Sequence, residues 1–399
     1  MENEFLFING IIPNLDFLRA NDKNSLLVSS DLYQKSLIKG LKENGIRVNS
    51  ISLPFIGSFP NKFKKINIPS YKDDESIYFG FNNIWGIRNI SRYLKLKKYL
   101  RKNIKNINTN NVLIYSAHTP FVKVAKLIKK YNKNASICLI VPDLPQYMNL
   151  NKKKPLLYRI FKKIDINSFN KQIKYIDRFV FFTKYMNDFI NKYNRPYIVI
   201  EAIPSNSNNE FKILNNKKKK IVYAGTTNEA YGMLDLMKAF KIINNPNYEL
   251  DIYGTGDVDN ILKEESNKNE NINYYGLISK DEINIVINNA DVLVNPRSNK
   301  FEYTKYSFPS KIIEYISTGR PIVCYKLDGI PSEYDDVLFY ASDDSINALA
   351  MKLKEVLNLS NNELNKIFEK SKKLIDSKKP SLSAKKLINF MRRANQWKY

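Results

Sequence analysis

Residues 295–323, NPRSNKFEYTKYSFPSKIIEYISTGRPIV, gather side chains that could hold a phosphorylated, hydroxyl-rich ligand. An apolar run, ADVLVNP, leads into a polar loop, a helix opened by Pro309, then Gly319 and a second apolar run. Proline suits a first helical turn, where its missing N–H has no partner to lose. Ser307 or Ser310 can cap that turn, and Lys311 and Glu314 follow inside it. Such a helix start presents unpaired backbone N–H groups and a partial positive charge, which suits an anion. Glu314, one turn further in, can accept hydrogen bonds from ligand hydroxyls. Phosphate and hydroxyls together suggest a nucleotide sugar.

Two glycine turns lie upstream. IVYAG runs into Thr226-Thr227-Asn228, and Gly225 would let the backbone approach a diphosphate closely; an ordinary turn is the plainer alternative. DIYGTGD supplies Gly254 and Gly256, but no third glycine opens a helix at the spacing of a dinucleotide fingerprint. His118, the only histidine, follows an apolar run and precedes a Thr-Pro turn. It can face a ligand or bond locally. Asp143 follows the next apolar run and can orient an acceptor hydroxyl or cap a helix.

Holding these residues in place takes alternating strands and helices, which argues for parallel sheets with helices on both faces. Strands are expected at residues 4–8, 47–53, 112–116, 136–141, 178–183 and 197–200, with helices at 30–42 and 122–130. Residues 204–220 are polar and rich in asparagine and lysine, the best linker candidate. A second alternation follows, with strands at 221–224, 249–253, 272–275, 292–295 and 321–325. Helices are expected at 231–242 and 280–288, and a basic helix at 381–393. Ligands of open α/β sheets bind beyond the carboxyl ends of the strands, so two such halves would share a cleft.

A chain of 399 residues exceeds one ordinary core and points to two domains. No apolar run approaches the roughly 18 residues that suggest a membrane span, and no basic region precedes the first apolar stretch. A cytoplasmic location is expected. Cys138 and Cys324 sit in expected strands and read as small core residues. With one histidine and no carboxylate cluster of ligand spacing, no metal site is expected. The net charge of +25 reflects either a lysine- and asparagine-inflating composition or attraction to a polyanion. Nucleic-acid motifs are missing, which favours an anionic membrane surface or diphosphate substrates. Residues 152–174 place Leu156, Leu157, Ile160, Phe161 and Ile164 on one helical face among basic residues, suited to a membrane interface or to packing on the sheet. Residues 92–105, RYLKLKKYLRKNIK, form a second basic stretch.

SFPSKIIEYISTGRPIV, with ADVLVNPR before it and DGIPSEY after it, resembles the donor-site signature of retaining GT-B glycosyltransferases of bacterial family 4. Within that family it is most similar to enzymes that assemble capsular and other surface polysaccharides. The resemblance runs from about Lys217 to about Tyr340 and is only topological before that. It puts Glu314 at the second acidic position of the family's paired-glutamate motif, on the ribose hydroxyls. The first acidic position is Tyr306 here, which leaves the donor sugar open; Tyr306, Ser307 and Phe308 are expected to shape that pocket. The family's arginine after the Gly225 turn is Thr226, and its lysine a few residues later falls near Tyr231. Arg297 and Lys311 are then expected to offset the leaving diphosphate. Gly329, Ile330 and Glu333 resemble a donor-domain loop. The resemblance also implies a histidine at the position of His118 touching donor sugar or acceptor, and a last helix crossing back onto the first domain. Transfer with retention would then need no enzymic nucleophile, the leaving phosphate helping to take the acceptor proton.

The expected chain is thus α/β with a GT-B fold, two Rossmann-like domains facing each other across a cleft. Residues 1–205 form the acceptor side, 206–378 the donor domain and 379–399 the returning helix. Donor binding falls to Gly225, Thr226, Gly254, Arg297, Tyr306, Ser307, Phe308, Pro309, Ser310, Lys311 and Glu314; acceptor binding to His118 and Asp143; catalysis to His118, Arg297 and Lys311. Expected partners are a nucleotide-sugar donor, a glycan acceptor linked to a lipid diphosphate, and the inner face of the plasma membrane, with no cofactor, metal or nucleic acid. Two rivals are a nucleotide-sugar 2-epimerase, which wants more cleft histidines and carboxylates, and an idle sugar-nucleotide-binding scaffold.

Overall fold

Runs such as EFLFIN, NVLIY and SICLIV bury nearly every position, as parallel strands covered on both faces do. They build the first of two units in a computed structural model that describes residues 3–14, 16–21, 28–103, 109–145, 156–205, 210, 212–214 and 216–393. The unit comprises residues 1–205 with 379–399. Its elements are β1 (Glu4–Asn9), α1 (Asp16–Asn21), α2 (Val28–Glu43), β2 (Arg47–Ser52), β3 (Tyr71–Lys72), β4 (Ser76–Tyr78) and α3 (Arg88–Asn103). There follow β5 (Asn111–Tyr115), α4 (Thr119–Tyr131), β6 (Ser136–Val141), α5 (Leu156–Gln172), β7 (Arg178–Phe181), α6 (Met186–Ile190) and β8 (Tyr197–Val199). The strand order is β3-β4-β2-β1-β5-β6-β7-β8, parallel except where β3 meets β4. β1 sits between β2 and β5, so the winding reverses there and the carboxyl edge beside it is the natural ligand edge.

The second unit, residues 206–378, repeats the plan. It runs β9 (Lys219–Ala224), α7 (Met233–Ile243), β10 (Tyr248–Tyr253), α8 (Asp259–Lys268), β11 (Ile272–Gly276), α9 (Lys280–Asn288) and β12 (Val292–Asn295). Then come α10 (Ser310–Ile316), β13 (Ile322–Cys324), β14 (Phe339–Tyr340), α11 (Ile346–Leu357) and α12 (Asn361–Ser377). Its all-parallel sheet has the order β11-β10-β9-β12-β13-β14, reversing at β9. Ile221, Leu250, Val292 and Val323 pack with Leu236 of α7 and Leu349 and Leu353 of α11 in its core. Capping boxes start two helices, Ser279 with Glu282 at α9 and Ser360 with Glu363 at α12.

The last helix, α13 (Pro380–Arg392), belongs to the first unit and lies on α2. A side chain at Gly40 of α2 would meet the Pro380 carbonyl at 1.9 Å, so glycine sets the approach of the two helices. Leu387 is fully buried, and Arg178 donates to the Phe390 and Met391 carbonyls at 2.9 and 3.2 Å, capping the helix end. The expected strands at 136–141 and 292–295 coincide with β6 and β12, and the helix at 280–288 with α9. β3, β4, β14, α11 and α12 go beyond the expected set. Parts of the linker candidate and of the two basic stretches lie outside the described residues. Cys138 and Cys324 are free and buried, and burial pushes the Cys138 thiol up to about 12.

Candidate functional site

In the second unit the site is built outward from the end of β9. The Gly225 N–H bonds the Tyr253 carbonyl at 2.9 Å, tying the turn after β9 to the end of β10. A Cβ at Gly254, which holds φ 133°, would meet the Gly225 carbonyl at 1.7 Å, and one at Gly256 would meet the Thr227 carbonyl at 2.2 Å. These glycines let one turn lie against the other; Gly254 is a packing residue here, because its missing side chain is replaced by backbone. Asp259 fastens the pair. It accepts from Thr227, from Thr255 at 2.6 Å and from the Gly256 N–H at 2.8 Å. Burial works against its charge, yet these hydrogen bonds hold the carboxyl below its usual range. Thr226 is exposed at the tip, and its carbonyl accepts from the Tyr223 hydroxyl at 2.7 Å.

Arg297 follows β12 and stands over Tyr231, 4.2 Å from the ring centroid, with Tyr303 at 5.8 Å. Its Nη1 donates to Ser307 Oγ at 3.4 Å, and its buried Nε has no partner. Among the described residues no carboxylate pairs with it. Burial raises the Tyr223 and Tyr303 hydroxyls, opposed by the Arg297 charge, so its aromatic surround is neutral. Tyr303 also donates to the Ala230 carbonyl at 2.8 Å, which draws the loop before α10 onto the loop after β9. Tyr231, where the resemblance expects a nearby lysine, is thus the platform for a cation from another strand. Tyr303 and Asp259 carried no signal in the sequence, since the contacts that tie one loop to another, Tyr303 with Ala230 and Asp259 with Thr227, span 73 and 32 residues.

α10 differs from expectation. Pro309 is the residue before the helix, with extended backbone (ψ 100°), and no side chain caps it. Ser307 is instead taken by Arg297, and Ser310 is the first helical residue and exposed. Phe308 is buried 5.3 Å from the Tyr334 ring, which makes it a packing residue in place of a pocket wall; Tyr306 is half-buried. Tyr315 bolts the helix to the sheet: its buried hydroxyl accepts from the Ala224 N–H at 2.8 Å and donates to the Ala224 carbonyl at 3.2 Å. Lys311 and Glu314 face each other at 2.8 Å, both partly exposed. Gly329 fits under the Ser307 and Thr304 carbonyls, where a Cβ would clash at 2.6 and 2.7 Å. Glu333 is paired with Lys378 at 2.7 Å. The structure therefore joins Arg297 to Ser307 and the Tyr231 and Tyr303 rings, pairs Lys311 with Glu314 on α10, and ties α10 to the end of β9 through Tyr315.

In the first unit, His118 and Asp143 follow the adjacent parallel strands β5 and β6. Ser116 precedes the histidine with φ 77°, a left-handed conformation that costs a non-glycine residue about 1–3 kcal/mol and is common at functional sites. His118 is the residue before α4, makes no capping bond, and contacts Arg92 at 3.3 Å through Nε2. Burial, then Arg92, Arg88 and Lys162, hold its imidazole well below the usual range. Asp143 is exposed. Among the described residues no group of three or more His, Cys, Asp or Glu side chains is placed to hold a metal ion, and no helix is long and apolar enough to cross a membrane.

Residues 218–359 match the family described as "Glycosyl transferases group 1". No curated protein matches the chain by sequence. Among solved structures, sucrose-phosphate synthase from Thermosynechococcus elongatus superposes with TM-score 0.67 at 12% identity, over 98% of both chains. An E. coli trehalose-6-phosphate protein bound with UDP-2-fluoro glucose gives 0.64 at 11% identity, over 98% of this chain and 99% of that one. TarM gives 0.62 at 13%, over 98% of each. At such identity the likeness is one of fold, two Rossmann-like domains of the GT-B type. On that fold residues 218–359 carry the match to glycosyl transferases group 1, and the chain is a transferase.

Proposed function

We propose that the chain moves a sugar from a nucleotide-sugar donor to a lipid-linked glycan acceptor, with retention, in the assembly of a surface polysaccharide. The observation that carries this reading is Arg297, a guanidinium on two tyrosine rings with no carboxylate partner among the described residues, inside the matched domain. An unanswered charge beside a glycine turn suits a diphosphate. Glu314 receives the ribose hydroxyls, and Lys311, now on Glu314, turns to the phosphate when the donor arrives; the partly exposed pair costs little to reopen. Tyr306 and Ser307 border the donor sugar. The first unit takes the acceptor, with His118 and Asp143 at its carboxyl edge. Stabilising the leaving diphosphate and aligning two substrates supply the catalysis, with no resident cofactor. The exposed apolar side chains of α3 and α5, flanked by lysine and arginine, support a peripheral seat on an anionic membrane.

Calorimetry with UDP, GDP, CMP and dTDP tests the donor site. One nucleotide should bind, with affinity lowered at least about tenfold in Arg297→Met and in Glu314→Ala, each removed hydrogen bond to a charged group contributing about 1.5–3 kcal/mol. Binding of none by the folded chain would overturn this reading, and binding without donor hydrolysis or transfer would leave the idle-scaffold alternative, for which Thr226 and Tyr306 in place of family residues are the supporting signs.

A further inference from the structure

His118 is held on three sides. Phe55 and Phe121 stand edge-on to the imidazole, at interplanar angles of 89° and 88° and centroid distances of 5.7 and 5.1 Å. On the third side, Nη1 of Arg92 lies 3.3 Å from Nε2. Nη2 of the same guanidinium donates to the Pro54 carbonyl at 2.6 Å, and its central carbon sits 4.1 Å from the Phe81 ring centroid. Arg92 is 1% exposed, so it is out of reach of a substrate and can act only through the ring it touches.

A guanidinium has five N–H donors, no acceptor, and a charge it keeps. The ring nitrogen that faces it must therefore offer a lone pair. In neutral imidazole the proton then sits on the other nitrogen, Nδ1. A second proton would set N–H against N–H across 3.3 Å. The charged groups facing the ring are Arg92 and Arg88 from α3 and Lys162 from α5, all cationic, and they act with burial against the imidazolium. Phe55, after β2, and Phe121, on α4, add no charge. Nδ1 has no partner among the described residues.

We propose that Arg92 is a positioning residue that fixes His118 as the Nδ1–H tautomer, so that His118 enters the transfer as a hydrogen-bond donor to a substrate oxygen and takes no proton. The assignment to the transfer rests on the reading of His118 as a substrate-facing residue; the ring's state does not. Because the chain has one histidine, ¹⁵N-histidine labelling gives a single ring pattern by NMR in the full-length protein. The expected pattern is a proton on Nδ1, a bare Nε2, and no titration between about pH 5.5 and 8. In Arg92→Met the ring should populate both tautomers and titrate closer to its ordinary value of about 6.5. Arg92→Lys, which keeps the charge and loses the planar fork, covers the case that Arg92→Met does not fold. A proton on Nε2, titration of the wild-type ring inside that window, or an unchanged ring in both folded variants overturns the proposal.

Turnover of the nucleotide sugar identified by calorimetry adds a functional arm. The log kcat profile should be flat over the same window. A pH limb inside that window that vanishes in His118→Asn, a variant without a titrating ring, also overturns the proposal. The ring measurement needs no substrate, so its failure and the failure of donor binding are separate results.

Discussion

Arg297 and Arg92 have no carboxylate partner among the described residues, and each makes sense through what it touches. Arg297 keeps its charge on the Tyr231 face, ready for an anionic ligand; Arg92 spends its donors on a carbonyl and on the His118 ring. The second arrangement has a cost in pH. The folded-state imidazole is held below its usual range by burial first, then by Arg92, Arg88 and Lys162. Below about pH 6.5 the unfolded chain binds a proton that the folded chain refuses, so stability falls as pH falls, by up to about 1.4 kcal/mol per pH unit from this group. Above that pH the group contributes no slope. Urea unfolding of wild type and His118→Gln at about pH 7.5, 6.5 and 5.5 checks it: the wild type should lose roughly 1 kcal/mol more than the variant over the lower interval. Equal slopes would mean that the ring accepts the proton inside the fold. Arg297, Lys311 and Glu314 could be picked out from sequence because one short motif holds them together. Arg92 could not, because its meaning comes from a histidine 26 residues away that only the fold brings to it.

Elements act here chiefly by holding turns against each other. The end of β9, the turn at Gly225 and α10 form one block because Tyr315 exchanges two hydrogen bonds with Ala224. Tyr315→Phe should lower unfolding stability by about 1–3 kcal/mol, since it strands a buried backbone N–H. It should also weaken nucleotide binding, because the Lys311–Glu314 turn would lose its register with Gly225. Thermal unfolding together with calorimetry separates this from a purely local loss; a destabilised variant with unchanged nucleotide affinity would show that α10 holds its place without the bolt. Apolar runs sufficed to place β6 and β12, because strands buried on both faces leave a continuous signal. The start of α10 was misplaced for a physical reason. Ser307, the expected cap, is claimed by an arginine from β12, and Pro309 approaches the helix in extended form. The two- and three-residue strands β3, β4 and β14 are too short to show a period.

At the scale of the whole molecule, a net charge of +25 needs a destination, and the first unit offers one. Its described surface exposes Trp85, Ile87, Ile90 and Leu94 at and along α3, and Ile160, Phe161 and Ile164 on α5, each between 44% and 60%. The Trp85 and Phe161 rings meet edge-on at 5.9 Å, which joins the two groups into one patch. The same two helices expose Lys95, Lys98 and Arg101 on α3 and Arg159 and Lys163 on α5. Apolar side chains exposed on the same helices as basic ones match a bilayer interface with anionic headgroups, where each basic residue contributes about 1 kcal/mol near the surface. Composition alone would scatter lysines without gathering isoleucines among them. The full-length chain should therefore cosediment with vesicles containing phosphatidylserine and only weakly with pure phosphatidylcholine, the difference shrinking as salt is raised. Ile90→Asp combined with Ile164→Asp should cut vesicle binding by at least about tenfold, because each buried isoleucine is worth about 1.5–3 kcal/mol. Nucleotide affinity should stay unchanged, since both substitutions lie in the first unit and the nucleotide is assigned to the second. Equal binding to both vesicle types, or full binding by the double variant, would show that the charge serves something other than a membrane and would take away the structural argument for a lipid-linked acceptor.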